Sequence, residues 1–129
     1  GYSKEKMKYI VRPGKTGAEE IQQMMVDFRT NPPKSLGGGL MKTVKDYADL
    51  TERNMLSGES KKIDQKITSN VLQVFTEDGT KISVRSSGTE PKIKFYFEVT
   101  GQLNRREEFD TFVLLAEEKI DAIMQQLIL

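Results

Sequence analysis

The sequence predicts an α+β domain in which two helices cover one face of an antiparallel sheet. Three short segments between residues 71 and 99 alternate apolar and polar residues, as strands with one buried face do. Two longer segments, at about residues 17–30 and 109–127, repeat apolar residues at spacings of three and four, which is typical of amphipathic helices. Helices packed on one side of an antiparallel sheet satisfy both patterns.

A short strand and a helix are predicted first. Residues 7–12 are expected to form the strand, which Pro13 ends. The helix is expected over residues 17–30, with Glu19 and Glu20 in its first turn, where carboxylates interact favourably with the helix dipole. Its apolar stripe comprises Ala18, Ile21, Met24, Met25 and Phe28.

The middle of the chain carries weaker signals. Residues 35–39 are rich in glycine and predict a flexible connection, and residues 40–47 alternate enough to predict a strand. Residues 49–69 are polar and lack a period, so we interpret them as a peripheral excursion without regular structure.

A three-stranded meander and a closing helix are predicted in the second half. Residues 71–76 and 80–85 are two strands joined at Asp78-Gly79, which is a strong hairpin signal. Residues 92–99 form the third strand, and Asn104 is expected to cap the last helix. The predicted order is β-α-β-β-β-β, followed by the second helix. The predicted core positions are Ile93, Phe95, Phe97 and Val99 in the strand, and Phe109, Phe112, Val113, Ala116, Ile120, Ile123, Met124 and Leu127 in the helix.

Composition narrows the classes of function. The chain has 129 residues, of which 36% are hydrophobic and 30% charged, and its formal net charge is +1. So small a net charge favours neither nucleic acid nor a membrane surface as a partner. The sequence contains no cysteine and no histidine, which excludes disulfides, Ser-His-Asp triads and thiolate or imidazole metal ligands. We find no signal peptide and no membrane span, and we expect a cytoplasmic protein.

Residues 85–91, Arg-Ser-Ser-Gly-Thr-Glu-Pro, concentrate groups that bind anions. Arg85 offers a planar guanidinium that donates to two phosphate oxygens at once. Gly88 is expected to adopt a positive φ, so that successive backbone N–H groups form an anion-binding nest. The candidate phosphate-binding residues are Arg85, Ser87, Gly88 and Thr89, with Ser86, Glu90, Lys92 and Lys94 in support.

The same residues also permit a plainer interpretation. A Ser-Gly-Thr-Glu-Pro run between strands fits an ordinary surface loop, and Lys92 and Lys94 fit the solvated face of a strand. The run is not a P-loop, because the spacing and the final Lys-Ser/Thr are absent, and no helix follows as in a Rossmann turn. From residue chemistry alone, a phosphate site and an ordinary loop both stay open.

Residues 71–96 resemble the last domain of the α-D-phosphohexomutase family, which contains phosphoglucomutases, phosphomannomutases and phosphopentomutases. The fourth domain of that family carries an Arg-x-Ser-Gly-Thr-Glu-Pro loop, which matches residues 85–91 without a mismatch. Residues 17–21 resemble the helix that opens this domain, and Asp46-Tyr47 its next strand. The Pro-Lys-Ile-Lys-Phe-Tyr continuation resembles the longer phosphoglucomutase/phosphomannomutase subgroup.

The resemblance implies a TATA-box-binding-protein-like C-terminal domain whose loop holds the substrate phosphate. It further implies an intramolecular phosphotransferase, an isomerase that interconverts hexose 1-phosphate and hexose 6-phosphate through a phosphoserine on another domain. Mg²⁺ and a hexose 1,6-bisphosphate are implied for the full-length enzyme, and neither a catalytic residue, a metal ligand nor a cofactor is expected in this chain. The phosphoserine, magnesium and sugar loops of the family are absent, so the chain alone is expected to be inactive.

Domain organisation follows from the same resemblance. Residues 1–16 are expected to be a linker and first strand continuing from upstream domains, and residues 17–129 the phosphate-binding domain, with 49–69 as its polar excursion. The expected partners are a sugar phosphate and the enzyme's own upstream domains, without nucleic acid or membrane. The alternatives are a stand-alone module that binds a phosphorylated ligand or a protein without catalysis, and a purely structural domain.

Two further clusters invite a functional interpretation. Asp46, Asp49 and Glu52 lie close in sequence, but their spacing matches no acidic metal loop, and a strand ending in a polar loop explains them better. Residues 57–60, Ser-Gly-Glu-Ser, are similar to the family's sugar loop at a glance. They lack its place in the chain, and we interpret them as a polar turn.

Overall fold

The structure, a computed structural model, describes residues 2–128. These residues form eight strands, two α-helices and one turn of 3-10 helix at Arg106–Glu108. The strands are β1 (Tyr2–Val11), β2 (Ser35–Leu36), β3 (Gly39–Asp46), β4 (Thr51–Asn54), β5 (Ser60–Lys62), β6 (Val71–Thr76), β7 (Thr80–Ser86) and β8 (Lys92–Gly101), and the helices are α1 (Gly14–Thr30) and α2 (Phe109–Ile128).

Seven of the strands form one sheet in the order β1-β8-β7-β6-β3-β4-β5, and β2 pairs with β3 beside this path. All the pairings among the described residues are antiparallel. The meander β6-β7-β8 lies at the centre of the sheet, as the alternation in the sequence predicts. The predicted α+β class with an antiparallel sheet is confirmed.

The two helices and one face of the sheet share a single apolar core. Phe95 and Phe97 are each 2% exposed, which confirms their predicted place in the core, whereas Tyr96 between them is 45% exposed on the opposite face. We call this opposite face the open face. The core contributions of the meander are Leu72, Val74, Ile82, Val84, Ile93, Phe95, Phe97 and Val99, and those of the helices are Ile21, Met25, Phe28, Ala116, Ile120, Ile123 and Met124.

The first strand is longer than the sequence predicts. β1 begins at Tyr2 rather than at residue 7 and pairs with β8 over ten consecutive positions. Its early helix-side positions are lysines, so no apolar alternation marks them in the sequence. Lys4 Nζ lies 3.6 Å from Glu117 and Lys8 Nζ 3.4 Å from Asp121, and both carboxylates belong to α2. Ion pairs with the helix therefore replace apolar contacts over the first part of this strand, whereas Ile10 near its end is buried in the core.

The polar middle of the chain is not a structureless excursion. Within residues 49–69, β4 pairs with β3 and β5 pairs with β4, so the segment extends the sheet by two strands. Every residue of β5 is exposed and none of β4 is fully buried, which explains why no period appears in the sequence. The predicted flexible connection at residues 35–39 likewise contains β2, where Leu36 is completely buried.

Both helices begin differently from their predictions. α1 starts at Gly14, three residues early, so Glu19 and Glu20 lie in its second turn and the first turn has no acidic residue. α2 is preceded by the 3-10 turn, whose N-cap is Arg105 and not Asn104. The backbone N–H of Asn104 instead donates to the Glu108 carboxylate at 3.4 Å.

The β6–β7 hairpin is held against α2 at its turn. Gly79 has φ +90°, a conformation that glycine adopts without a Cβ clash and that three-residue hairpin loops favour. Asp78 accepts a hydrogen bond from the Thr76 hydroxyl and another from Lys119 Nζ at 2.7 Å. The hairpin predicted from Asp78-Gly79 is therefore confirmed, and α2 contacts it directly.

Neither helix of the described residues has the combination of length and apolar character that a membrane crossing requires.

The predicted boundary between residues 16 and 17 falls inside α1, and β1, in the predicted linker, is part of the same sheet.

Candidate functional site

Two cations face each other where β7 and β8 meet the loop of residues 86–91. Arg85 and Lys94 are directly opposed in the antiparallel register, so their side chains project from the same face of the sheet. Their partners along the strands, Ser83 and Tyr96, are also directly opposed, and Tyr96 marks this as the open face. Like charges in this arrangement destabilise a sheet unless an anion compensates them.

No carboxylate of the described residues compensates this pair. Among residues 2–128, neither the Arg85 guanidinium nor the Lys94 ammonium takes part in an ion pair or in a side-chain hydrogen bond. Arg85 is exposed and Lys94 half-buried. The two cations are therefore available to an oxyanion from solvent.

Ser87 organises the loop between the strands through its hydroxyl oxygen. Ser87 Oγ accepts hydrogen bonds from the backbone N–H groups of Thr89 at 3.3 Å and Glu90 at 3.2 Å. The Ser87 N–H donates to the Lys92 carbonyl at 2.8 Å, which closes the loop. A hydroxyl has one donor and two acceptor lone pairs, and since the Ser87 O–H donates to no group among residues 2–128, it is available to donate to a ligand.

The expected backbone nest at Gly88 is wrong. Gly88 is not among the glycines with a positive φ, and the N–H groups of Thr89 and Glu90 point to the Ser87 hydroxyl. A Cβ at residue 88 would meet no heavy atom within 4 Å. Anion binding at this loop depends on side-chain cations and hydroxyls rather than on converging backbone N–H groups.

The loop borders a depression of about 290 Å³ on the open face, which we call the Arg85 depression. Six of the eight candidate residues line it, together with Tyr96. On the other side of the loop, a second depression of about 210 Å³ separates the loop from α1. The six candidate residues in the Arg85 depression are Arg85, Ser86, Ser87, Gly88, Thr89 and Lys94.

Two supporting candidates lie outside this depression. Glu90 lines only the second depression, beside α1. Lys92 Nζ lies 4.3 Å from the ring centroid of Tyr9 on β1, close enough for a cation–π interaction. The structure thus brings together Arg85 and Lys94 but directs Lys92 toward the edge of the sheet.

Tyr96 lines the Arg85 depression although the sequence did not mark it as a site residue. Its ring is exposed and lies two positions after Lys94, on the same face of β8. The strand alternation was sufficient to place Tyr96 beside Lys94, because residues i and i+2 of a strand share a face.

The two other clusters have structural explanations. Asp46 pairs with Arg29 at 2.8 Å, Glu52 with Lys61 at 3.4 Å, and Asp49 accepts from Thr51. Within residues 2–128, no group of three or more acidic side chains could hold a metal ion. Residues 57–59 lie in the turn between β4 and β5, Ser60 begins β5, and the backbone N–H of Gly58, at φ +80°, donates to the Asn54 carbonyl.

Comparison with known proteins identifies relatives of this chain. Residues 38–115, more than half of the chain, match the family described as "Phosphoglucomutase/phosphomannomutase, C-terminal domain". A phosphoglucomutase of Staphylococcus aureus is 37% identical over 83 residues, which is 64% of this chain and 15% of that protein. A phosphoglucomutase of Staphylococcus saprophyticus is 35% identical over 97 residues, which is 75% of this chain and 17% of that protein.

The chain thus spans less than a fifth of the length of the relatives that it matches. The family match includes β3 to β8 and the whole of the 86–91 loop. The chain belongs to the phosphoglucomutase/phosphomannomutase family, whose C-terminal domain it represents.

Proposed function

We propose that this chain is the substrate-phosphate-binding domain of a phosphohexomutase that interconverts hexose 1-phosphate and hexose 6-phosphate. The reaction would be that of an intramolecular phosphotransferase, with glucose or mannose phosphate as the substrate class. The names of the relatives support the mutase, and the Arg85 depression supports the part taken by this chain.

The observation that carries the proposal is the uncompensated Arg85–Lys94 pair. A phosphate monoester brings close to two negative charges and several acceptor oxygens. Arg85 binds two of these oxygens with its planar guanidinium, and Lys94 acts as a point charge from the facing strand. Binding removes the repulsion between the two cations, so the ligand stabilises the arrangement that the free sheet leaves strained.

The hydroxyls at the rim of the depression complete the set of donors. Ser87 Oγ accepts two hydrogen bonds from the loop backbone, and its O–H donates to no group among residues 2–128, so it can donate to a phosphate oxygen. Thr89 is exposed beside it and lines the same depression. These groups contact the phosphate oxygens and make no contact with the sugar. Such a site can hold the non-reacting phosphate while the sugar adopts either of two orientations. Holding a remote group supplies binding and positioning rather than bond breaking.

Mg²⁺ and a hexose 1,6-bisphosphate belong to the proposed enzyme outside this chain. The described residues include no cluster of carboxylates that fits Mg²⁺, so we assign no step of phosphoryl transfer to residues 2–128.

An NMR titration of the isotope-labelled 129-residue chain with glucose 6-phosphate tests the proposal. Shifts are expected at residues 85–89 and 94–96, with a dissociation constant on the order of millimolar, as one charge-assisted site supplies. Unphosphorylated glucose should cause no shifts. The Arg85→Ala variant should lose the response.

The matched control is Lys81→Ala, which removes a cation from the same strand and the same face. Lys81 lies outside the Arg85 depression, 5.9 Å from the Phe75 ring centroid, so its removal should leave the dissociation constant within about twofold. Equal losses in both variants would indicate a diffuse charge effect and would count against a built phosphate site.

A further inference from the structure

A hydrogen-bonded network links helix α1 to Ser86, the last residue of β7, where the strand runs into the loop. Arg29, in the last turn of α1, donates from Nη2 to the Asn70 side-chain oxygen at 2.7 Å. Asn70 donates in turn from Nδ2 to the Ser86 hydroxyl at 3.0 Å. We call Arg29, Asp46, Asn70 and Ser86 the Arg29 network.

The network is anchored at a buried carboxylate. Asp46, at the end of β3, is 4% exposed and accepts from Arg29 Nε at 2.8 Å and from the Ala48 N–H at 3.0 Å. The Arg29 carbonyl also accepts from Arg53 Nη2 at 2.8 Å. A guanidinium held at both its Nε and Nη2 atoms has little freedom, so Arg29 presents a fixed donor to Asn70.

Asn70 can occupy only one orientation in this network. Its oxygen accepts from an obligate donor, Arg29, and its nitrogen donates to Ser86. Exchanging the two ends of the amide would set the nitrogen against the guanidinium, because arginine has no acceptor. Asn70 precedes Val71, which is directly opposite Arg85, so the amide lies beside the residue that follows the cation.

We propose that Asn70, held by Arg29, is a positioning residue that fixes the start of the 86–91 loop and so the placement of Arg85 and Ser87 toward the phosphate. This inference rests on the proposed phosphate-binding function. Neither Asn70 nor Arg29 lines the Arg85 depression, so both act through Ser86 and not on the ligand. The Asn70 contact restrains the β7 end of the loop from the side chain of Ser86, next to the Ser87–Lys92 backbone hydrogen bond that joins the two ends of the loop.

The test is Asn70→Ala in the 129-residue chain, with two separate measurements. Amide exchange at Ser87, Thr89 and Glu90 without ligand should accelerate about three- to tenfold, as the loss of one hydrogen bond implies. The dissociation constant for glucose 6-phosphate, from the same NMR titration, should rise by a similar factor. Because the Asn70 side chain is exposed, the variant is expected to fold.

Gln73 on β6, three residues after Asn70, offers a matched control. Gln73 bridges Tyr47 and Ser83 with hydrogen bonds of 2.9 and 3.1 Å, so it copies the Asn70 arrangement without touching the loop. Gln73→Ala should leave loop exchange and phosphate affinity as in the wild type. Arg29→Lys keeps a positive charge beside Asp46 but replaces two separate donor nitrogens with one, so it should accelerate loop exchange as Asn70→Ala does.

Unchanged loop exchange and unchanged affinity in Asn70→Ala would overturn the positioning role. Equal acceleration in Gln73→Ala would overturn it as well, because the effect would then be general to the sheet. If the wild-type chain fails to bind glucose 6-phosphate, the proposed function falls. The exchange measurement still decides whether the Arg29 network restrains the loop.

Discussion

Arg85 and Lys94 show how a nearly neutral chain builds a local positive site. Their strand register sets two cations side by side, and no anion among the described residues pairs with either of them. The sequence predicted both residues because the regular alternation of residues 92–99 placed Lys94 on a strand, and the loop motif marked Arg85. Their direct opposition depends on the β7–β8 register, which no pattern within one strand determines.

Gly88 shows the limit of residue-level reasoning. Glycine permits a positive φ without requiring it, so its presence in a loop does not establish a nest. The loop uses the Ser87 hydroxyl to bind its own backbone instead. Asn70 and Arg29 escaped prediction for a different reason, since their contacts join residues 41 and 16 positions apart in the chain.

Two glycines should differ in how much stability the same substitution removes. A Cβ at residue 88 meets open space, so Gly88→Ala should change the free energy of unfolding by less than about 0.5 kcal/mol. A Cβ at Gly17 would collide with the Arg12 backbone carbonyl, so Gly17→Ala should destabilise by about 1–3 kcal/mol. Urea denaturation of both variants measures the difference, and equal losses would contradict the described backbone.

The elements show which sequence signals survive at the edges of a sheet. The central strands β6, β7 and β8 bury one face, and their alternation predicted them to within about two residues at each end. β4 and β5 show no apolar period because they have no buried face. The start of β1 shows none because its helix-side positions are lysines, two of which pair with carboxylates of α2. Such strands, at the sheet edges (β1 and β5) or next to one (β4), are identified by their pairing, which a single sequence does not display.

The contact between α2 and the β6–β7 turn should depend on pH. Burial raises the pKa of Asp78, but hydrogen bonds from Lys119 and Thr76 and the Lys119 charge outweigh it, so the pKa lies below the ordinary value of 3.8. A carboxyl group whose pKa is lower in the folded than in the unfolded protein stabilises the fold fully at pH values above its unfolded pKa. That contribution is lost as the pH falls through the lower pKa of the folded protein.

Asp78→Asn should therefore lower the free energy of unfolding near neutral pH by about 1 kcal/mol or less, as expected for a partly exposed pair. The difference from the wild type should shrink as the pH falls below 3.8. Urea denaturation over a pH series measures it. A difference that stays constant, or grows, on acidification would contradict the ion pair with Lys119.

At the scale of the whole molecule, the sheet places Arg85 and Lys94 on the open face and the two helices on the other face. The open face carries the Arg85 depression, and α1 reaches the loop from behind through the Arg29 network. The chain matches 15–17% of the length of its relatives, so the proposed phosphate grip would be one part of a larger active site. The central meander and both helices could be predicted from strand and helix periods, whereas β2, β4, β5 and the start of β1 could not, and the proposed role of the loop came from resemblance to a family.

The most direct test of the central claim is the steady-state kinetics of the intact enzyme that contains this chain. Arg85→Ala should lower kcat/KM about ten- to a hundredfold, mainly through KM, because a charge-assisted contact to a non-reacting phosphate supplies binding. Lys81→Ala should leave kcat/KM unchanged. A kcat/KM for Arg85→Ala equal to that of the wild type would contradict the assignment of the substrate phosphate to this loop.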